Sequence, residues 1–241
     1  MRRGGRKPLP GGRSLLNLIQ RAYSRIRYGT PVIVVSGLPR SGTSMIMQML
    51  EAGGLELVTD QIRRPDPDNP KGYFEYEKVK ELDRGLDKSW IKEHKGKVIK
   101  IISFLLNQLP EDANYQVIFM ERALEEVLAS QRTMLQNRSE NVDVTGYEAM
   151  INAFQRHLWR TKYILRQLPN FDVLYLHHHD VLRDPWTSAR RIGDFLDKKL
   201  PIPPMAEAVD PGLYRNRQKA GSGSVKEIHA IHPFEHVNEK G

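Results

Sequence analysis

VIVVSGLPRSGTS, residues 32–44, is the stretch that decides the fold of this chain. A β-branched run from Val32 to Ser36 ends at Gly37, and Pro39 and Gly42 follow before a helical stretch from Thr43 to Ala52. Short β-branched runs favour buried strands, while Gly and Pro mark turns. The segment therefore predicts a strand, a glycine turn and a helix in direct succession.

Such a turn is suited to binding an anion. Its backbone N–H groups can converge on one point, and the positive end of the following helix dipole adds to them. The planar guanidinium of Arg40 matches phosphate or sulfate oxygens. An ordinary βα turn with an exposed arginine is the alternative. The candidate anion-binding residues of the loop are Pro39, Arg40, Ser41, Gly42, Thr43 and Ser44.

The loop differs from a Walker motif at one decisive position. A Walker motif has Lys directly after its second glycine, where it reaches the β- and γ-phosphates, but this chain has Thr43 there. No clear pair of strand-end aspartates is present for magnesium. A P-loop nucleotide kinase or NTPase is therefore an alternative that the sequence disfavours, and a non-catalytic nucleotide-binding module is a second alternative.

Further strands and helices alternate along the rest of the chain. Strands alternating with helices imply crossover connections and a parallel sheet covered on both faces, so the predicted fold class is α/β. A helix with an apolar stripe (Tyr147, Ile151, Phe154, Leu158 and Leu165) is predicted over 147–168, and another begins at Asp184-Pro185. The remaining apolar runs are Val98 to Leu106, Gln116 to Met120 and Val173 to Leu176.

Composition limits the chemistry. The 241 residues include no Cys, which excludes zinc-thiolate sites, iron–sulfur clusters and thiol nucleophiles. The net charge is +8, but residues 1–28 hold eight cations and no acid, so the rest of the chain is formally neutral. A nucleic-acid-binding domain usually carries its basic excess on a folded face. We therefore expect no nucleic-acid partner.

The charge pattern also suggests the domain organisation. Residues 1–13 predict a disordered basic tail, 14–28 an amphipathic basic helix, 29–218 one catalytic domain and 219–241 a polar extension. The helix can dock on the domain, or it can lie on an anionic membrane or a partner. No stretch approaches the 18 or more apolar residues of a membrane span. We expect a cytoplasmic protein, with any membrane contact peripheral.

At this point the sequence resembles a family. GLPRSGTS, residues 37–44, is similar to the 5′-phosphosulfate loop of sulfotransferases that use 3′-phosphoadenosine 5′-phosphosulfate (PAPS), particularly the bacterial and tyrosylprotein-type branches. That family has a second signature, an Arg at a strand end and a Ser eight positions later, and Arg122 and Ser130 match it. The resemblance covers about residues 31–217.

The resemblance carries expectations for fold and reaction. It implies a doubly wound parallel sheet of about five strands flanked by helices. It also implies transfer of a sulfuryl group from PAPS to an acceptor hydroxyl or amine, with adenosine 3′,5′-bisphosphate (PAP) as product and no metal requirement. Arg122 and Ser130 would bind the 3′-phosphate. An ion pair of Arg122 with Glu125 or Glu126, and simple helix packing for Ser130, are the alternatives.

Three residues are candidates for the chemistry. Arg40 can stabilise the charge that grows on the leaving oxygen. Lys100 resembles the strand lysine of the cytosolic branch, although the histidine that follows in that branch is Ile102 here, so a surface lysine is the alternative. Glu75 matches the tyrosylprotein-type branch as the base, shielded from water by its neighbours Tyr73 and Phe74. Glu77, Asp60 or a histidine are the other candidates for the base.

The remaining motifs are weaker. His177, His178 and His179 form a run, but neighbouring strand residues point to opposite faces, so the run favours a structural role over a metal site. His94 and His157 are expected to be surface or helix-packing residues. Arg215 and Arg217 resemble the late basic segment that closes over the 3′-phosphate.

Overall fold

The fold is α/β, built on one parallel sheet of five strands flanked by helices. The computed structural model describes residues 15–60, 72–85, 87–137, 146–210 and 212. The strand order is β2-β3-β1-β4-β5, with every pair parallel. The strands are β1 (Val32–Gly37), β2 (Leu57–Val58), β3 (Val98–Lys100), β4 (Tyr115–Glu121) and β5 (Phe171–His177).

Seven α-helices and three 3₁₀ helices accompany the sheet in the described ranges. The 3₁₀ helices are Glu77–Glu81, Ser89–His94 and Ser103–Gln108. The α-helices are α1 (Leu15–Tyr28), α2 (Thr43–Ala52), α3 (Leu124–Asn137), α4 (Tyr147–Gln167), α5 (His178–Arg183), α6 (Pro185–Leu196) and α7 (Ile202–Glu207). Each helix within these ranges is too short or too polar to cross a bilayer.

The strands are buried on both faces, as parallel strands usually are. In β1, Val32 and Val34 face a core shared with the 3₁₀ helices and α4, while Ile33 and Val35 face a core shared with α2, α6 and α7. All six residues of β1 are buried. This alternation explains the β-branched run, because each side chain of the central strand needs an apolar partner on one face or the other.

The predicted helix from Asp184-Pro185 is confirmed. The Asp184 carboxylate accepts a hydrogen bond from the Thr187 N–H at 2.9 Å. Pro185 lies in the first turn, where an N–H group would have no acceptor within the helix, so its missing N–H costs no hydrogen bond. The predicted stripe of α4 is confirmed in part. Ile151, Phe154 and Leu158 pack against the protein, whereas Tyr147 is 44% exposed at the start of the helix.

One predicted strand was too long, and one strand was not predicted. The apolar run from Val98 is a strand only to Lys100, although β1 continues beside it for two more residues to Gly37, and the chain then forms the 3₁₀ helix Ser103–Gln108. Apolarity alone does not separate a strand from a short buried helix. The fifth strand is β2, with only two residues, which is too short for any periodicity to show.

The topology places a crevice at one point on the sheet. From β1 the chain crosses to the edge strand β2 on one side, and from β4 it crosses to β5 on the other. Ligands of open α/β sheets bind at the carboxyl ends of the strands where the direction of crossing reverses. That position here lies between the ends of β1 and β4, which are followed by the glycine loop and by Arg122.

Candidate functional site

The loop after β1 comes so close to its neighbours that two of its positions require glycine. A Cβ at Gly37 would lie 2.5 Å from the Ser41 Oγ and 2.6 Å from the Met120 carbonyl oxygen. A Cβ at Gly42, where φ is +99°, would lie 2.6 Å from the His178 ring. All three distances are shorter than real Cβ contacts allow. The two glycines therefore allow the loop backbone to pack directly against β4 and α5.

Arg40 occupies the tip of this loop in a strained conformation. Its φ of 71° lies in the left-handed region, which non-glycine residues rarely adopt. Its Nε donates to the Ser130 Oγ at 2.9 Å, and its carbonyl oxygen accepts from Arg122 Nη1 at 3.0 Å. Strain of this kind persists only where surrounding contacts fix it, and it is concentrated at functional sites.

Arg122 follows β4 directly and contacts both the loop and a carboxylate. Its Nε donates to Glu126 Oε2 at 2.9 Å, and the two side chains are 9% and 14% exposed. The ion pair considered as an alternative role is thus present, but it coexists with the bond to the Arg40 carbonyl.

Three predicted donor-binding residues are brought together at this point. Ser130 on α3 is 4% exposed and contacts Arg40 across 90 positions of sequence, while Arg122 reaches the loop across 82. A cleft of about 290 Å³ is lined by Arg122 but not by Arg40 or Ser130, and it is slightly smaller than the usual ligand pocket. Its walls come from the loop, the end of β4, the start of α3, Leu158 on α4 and His177.

The start of α2 adds backbone donors to the same region. The N-cap is Gly42, which has no side chain that could cap the helix. The first N–H groups of any α-helix lack acceptors within the helix. Thr43 and Ser44 are half-buried in this first turn. Ser41 is 1% exposed and its N–H donates to the Leu38 carbonyl, so Ser41 helps to shape the loop.

Lys100, also at this edge of the sheet, contacts the segment that carries Glu75. Lys100 is the last residue of β3, and its Nζ donates to the backbone carbonyl of Tyr73, two residues before Glu75. Lys100 is half-buried, so it is not a simple surface lysine. The Glu75 carbonyl accepts from Thr59 Oγ1 at 3.0 Å and from the Asp60 N–H at 3.3 Å. These bonds fix the main chain on both sides of the candidate base.

The other candidate carboxylates have local partners. The Asp60 carboxylate accepts a hydrogen bond from the N–H of Glu77, the first residue of the 3₁₀ helix Glu77–Glu81. The Glu77 carboxylate pairs with Lys80 at 2.8 Å on the surface. Both groups therefore have roles in holding this segment.

His178 is a residue that sequence reasoning missed. It is 7% exposed and packs under Gly42, whereas the side chains of His177 and His179 are 64% and 71% exposed. The strand ends at His177 and α5 begins at His178, which turns one ring inward. A run of three identical residues gives no signal of which one is buried. Among the described residues, no three His, Asp or Glu side chains form a metal-binding group.

Burial of His178 makes the protein sensitive to acid. Burial, with a smaller contribution from Arg122, lowers the pKa of His178 to about 4. In the unfolded chain the ring binds a proton near its ordinary pKa of about 6.5, so stability falls as the pH drops through this window. We expect wild type to lose about 2 kcal/mol more than His178→Gln between about pH 7 and pH 4.5 in urea unfolding. Identical pH dependence of the two proteins would contradict this.

His157 lies close to the end of β3 although it comes from α4. Its Nε2 is 2.9 Å from the Oγ of the buried Ser103, and its ring stacks on Phe104 with centroids 3.9 Å apart. Burial lowers the pKa of His157. His94 packs edge-on against Tyr76 and Trp90. Both rings thus have packing contacts.

Several sequence-based expectations lie outside the described residues. They concern Arg215 and Arg217, the predicted tail 1–13 and the predicted extension 219–241.

Comparison with known proteins adds a likeness of shape. The sulfotransferase domain from the curacin biosynthetic pathway matches with a TM-score of 0.43 and 14% identity, over 81% of this chain and 94% of that domain. A sulfotransferase from Alicyclobacillus acidocaldarius matches with a TM-score of 0.44 and 14% identity, over 76% of this chain and 87% of that one. The sequence matches no family model and no curated protein. The function is therefore inferred from the residues of the site.

Proposed function

We propose that this chain is a sulfotransferase that moves a sulfuryl group from PAPS to an acceptor hydroxyl or amine. One observation carries the proposal. The loop that resembles a phosphosulfate loop meets the Arg122–Ser130 pair, which resembles a 3′-phosphate site, at the switch point of the sheet. The parallel pairing of β1 with β4 brings the two segments together, and the contacts of Arg40 with Ser130 and of Arg122 with the Arg40 carbonyl join the matching residues themselves.

The proposed reaction is an in-line displacement at sulfur. The acceptor oxygen or nitrogen forms a bond to sulfur while the bond from sulfur to the bridging phosphate oxygen breaks. The electron pair of that bond leaves with PAP, and the acceptor proton passes to a base. Negative charge therefore grows on the bridging oxygen, and a proton must be removed on the opposite side of the sulfur.

The residues divide between these two tasks. The Arg40 guanidinium and the N–H groups at the start of α2 would stabilise the growing charge, because fixed donors act most strongly where water is excluded. Lys100 would add a second cation from β3. Glu75 would take the acceptor proton, since its segment is tied to Lys100 through the Tyr73 carbonyl.

Nucleotide binding is the first test of this proposal. Titration calorimetry of the full chain should show that PAP binds and that ATP with Mg²⁺ binds much more weakly. A preference for ATP with Mg²⁺, accompanied by hydrolysis, would assign the chain to the NTPases. Incubation with labelled PAPS and representative phenols, alcohols and amines should then give a labelled product. Tight PAP binding without transfer to any acceptor would instead indicate a non-catalytic module.

Arg122→Ala is expected to weaken donor binding much more than it slows turnover. The 3′-phosphate does not react, so a residue that binds it contributes equally to the ground state and the transition state. The KM for PAPS should rise, and the preference of wild type for a 3′-phosphorylated donor over an analogue without that phosphate should be lost. Steady-state kinetics with both donors measure the effect.

Glu126→Gln is the matched control for Arg122→Ala. It breaks the ion pair of 2.9 Å but keeps the Arg122 guanidinium. It should retain the preference for the 3′-phosphate. The double variant Arg122→Ala/Glu126→Gln should lose that preference, and it removes the Glu126 charge together with the Arg122 charge that balances it. Equal discrimination by wild type and both Arg122 variants would place the 3′-phosphate site elsewhere.

A further inference from the structure

Helix α1 docks on the protein through polar groups. Arg21 donates to the Phe195 carbonyl at 2.9 Å and pairs with Asp172, while the Ser24 Oγ donates to the Pro169 carbonyl at 2.6 Å. The Arg21 guanidinium also lies 5.0 Å from the centre of the Phe195 ring. The face of α1 that meets the domain is therefore held by hydrogen bonds and an ion pair.

From Ile19 onward, the apolar residues of α1 before Tyr28 lie on the opposite face. Ile19, Ala22, Tyr23 and Ile26 are spaced as one stripe of a helix, which we call the outer stripe. Ile19 is 57% exposed, Tyr23 50% and Ile26 87%. An amphipathic helix normally turns its apolar stripe toward the core. In α1 this orientation is reversed.

Arginines flank the outer stripe on both sides. At 3.6 residues per turn, Arg25 and Arg27 fall on opposite flanks of it. The Arg25 guanidinium reaches Asp197 only at 3.8 Å, and both side chains are more than half exposed. Residues 1–28 contain no acid at all. The exposed side of α1 is thus a narrow apolar surface with positive charge at each edge.

We propose that α1 lies on an anionic lipid surface, with the outer stripe inserted among the acyl chains and the flanking arginines at the phosphates. Interfacial helices combine these two features, and their arginine stems can extend to the charged headgroups. The inference is independent of the proposed sulfuryl transfer, because it uses none of the residues of that site.

Other occupants fit the surface less well. A second copy of the chain in a two-fold contact would bring Arg25 and Arg27 against their own equivalents, which repel. A stable protein interface involves about 20–30 residues a side, many more than the outer stripe offers. Nucleic acid would need cations at the centre of the surface, where Ile and Tyr lie.

Vesicle flotation with the full chain tests the proposal. Wild type should float with vesicles of phosphatidylcholine mixed with phosphatidylglycerol, and much less with phosphatidylcholine alone. Added salt should weaken the binding. The double variant Ile19→Asp/Ile26→Asp should bind the mixed vesicles at least about tenfold more weakly. It should keep the melting temperature of wild type, because both side chains are exposed.

Trp159→Asp is the matched control, since Trp159 is 67% exposed but lies on α4. It should bind the mixed vesicles like wild type. The proposal is overturned if wild type does not float with anionic vesicles, or if the Trp159 variant and the double variant bind equally. It is also overturned if light scattering shows a dimer that the double variant alone dissociates, or if the double variant loses binding to duplex DNA rather than to vesicles.

Discussion

Replacing Glu75 by Gln is expected to lower turnover by about 100-fold to 10,000-fold while PAP still binds. The amide keeps the size and the hydrogen-bonding capacity of the carboxylate but cannot take up the acceptor proton. The acidic limb of the pH–rate profile should disappear. The loss should be smaller for a phenol than for an aliphatic alcohol, because a phenol gives up its proton more readily. Steady-state rates with the two acceptors across a range of pH measure this.

The structure supplies a control for the Glu75 variant. The bonds from Thr59 and Asp60 go to the Glu75 carbonyl, so the segment keeps these anchors in Glu75→Gln. Glu77→Gln changes a neighbouring carboxylate that pairs with Lys80, and its turnover should stay near that of wild type. An unchanged pH profile in Glu75→Gln would move the role of base to Glu77, Asp60 or a histidine.

Arg40→Ala is expected to reduce turnover by about 100-fold to 1000-fold, the usual effect of removing one donor that stabilises developing charge. Alanine also has a Cβ, so the left-handed backbone at position 40 is as strained as before, and the loop should keep its path. The loss should therefore appear in turnover with little change in stability. Single-turnover kinetics at saturating PAPS separate this chemical effect from donor binding.

Two further variants separate the charge of Arg40 from its backbone conformation. Arg40→Gly relieves the strain at φ 71°, so it should melt at a higher temperature than Arg40→Ala. Its turnover should be as low as that of Arg40→Ala. Ser130→Ala removes the 2.9 Å contact but keeps the guanidinium, and its turnover should fall much less. Turnover close to that of wild type in Arg40→Ala would remove Arg40 from the proposed chemistry.

Much of the fold could be predicted from sequence because its signals are local. The run from Val32 to Ser36 and the helix Thr43–Ala52 appear almost where they were predicted. Local patterns fail where a neighbour decides the outcome. The run after Lys100 is apolar enough for a strand, but it leaves the sheet two residues before β1 ends and forms a 3₁₀ helix whose Ser103 and Leu106 are buried. The two-residue β2 exists only through its pairing with β3.

The same distinction applies to the site. Arg40 could be chosen because glycines mark its loop, and Arg122 and Ser130 could be chosen because they match the second signature of the family that the loop resembles. His178 could not, since its burial depends on Gly42 from another element. The outer stripe of α1 was visible as a periodic pattern, but periodicity does not show which way a stripe faces. Its direction depends on the partners of Arg21 and Ser24, which lie far away in the chain.

The contacts of Arg40 also determine when the site can form. Arg122 and Ser130 follow Arg40 by 82 and 90 positions, and pairings of such long range slow folding because a large loop must close first. A chain still on the ribosome that has released only β1, β2 and β3 contains the glycine loop but not Arg122 or Ser130. The contacts of Arg40 with these two residues can therefore form only after β4 and α3 have joined the sheet.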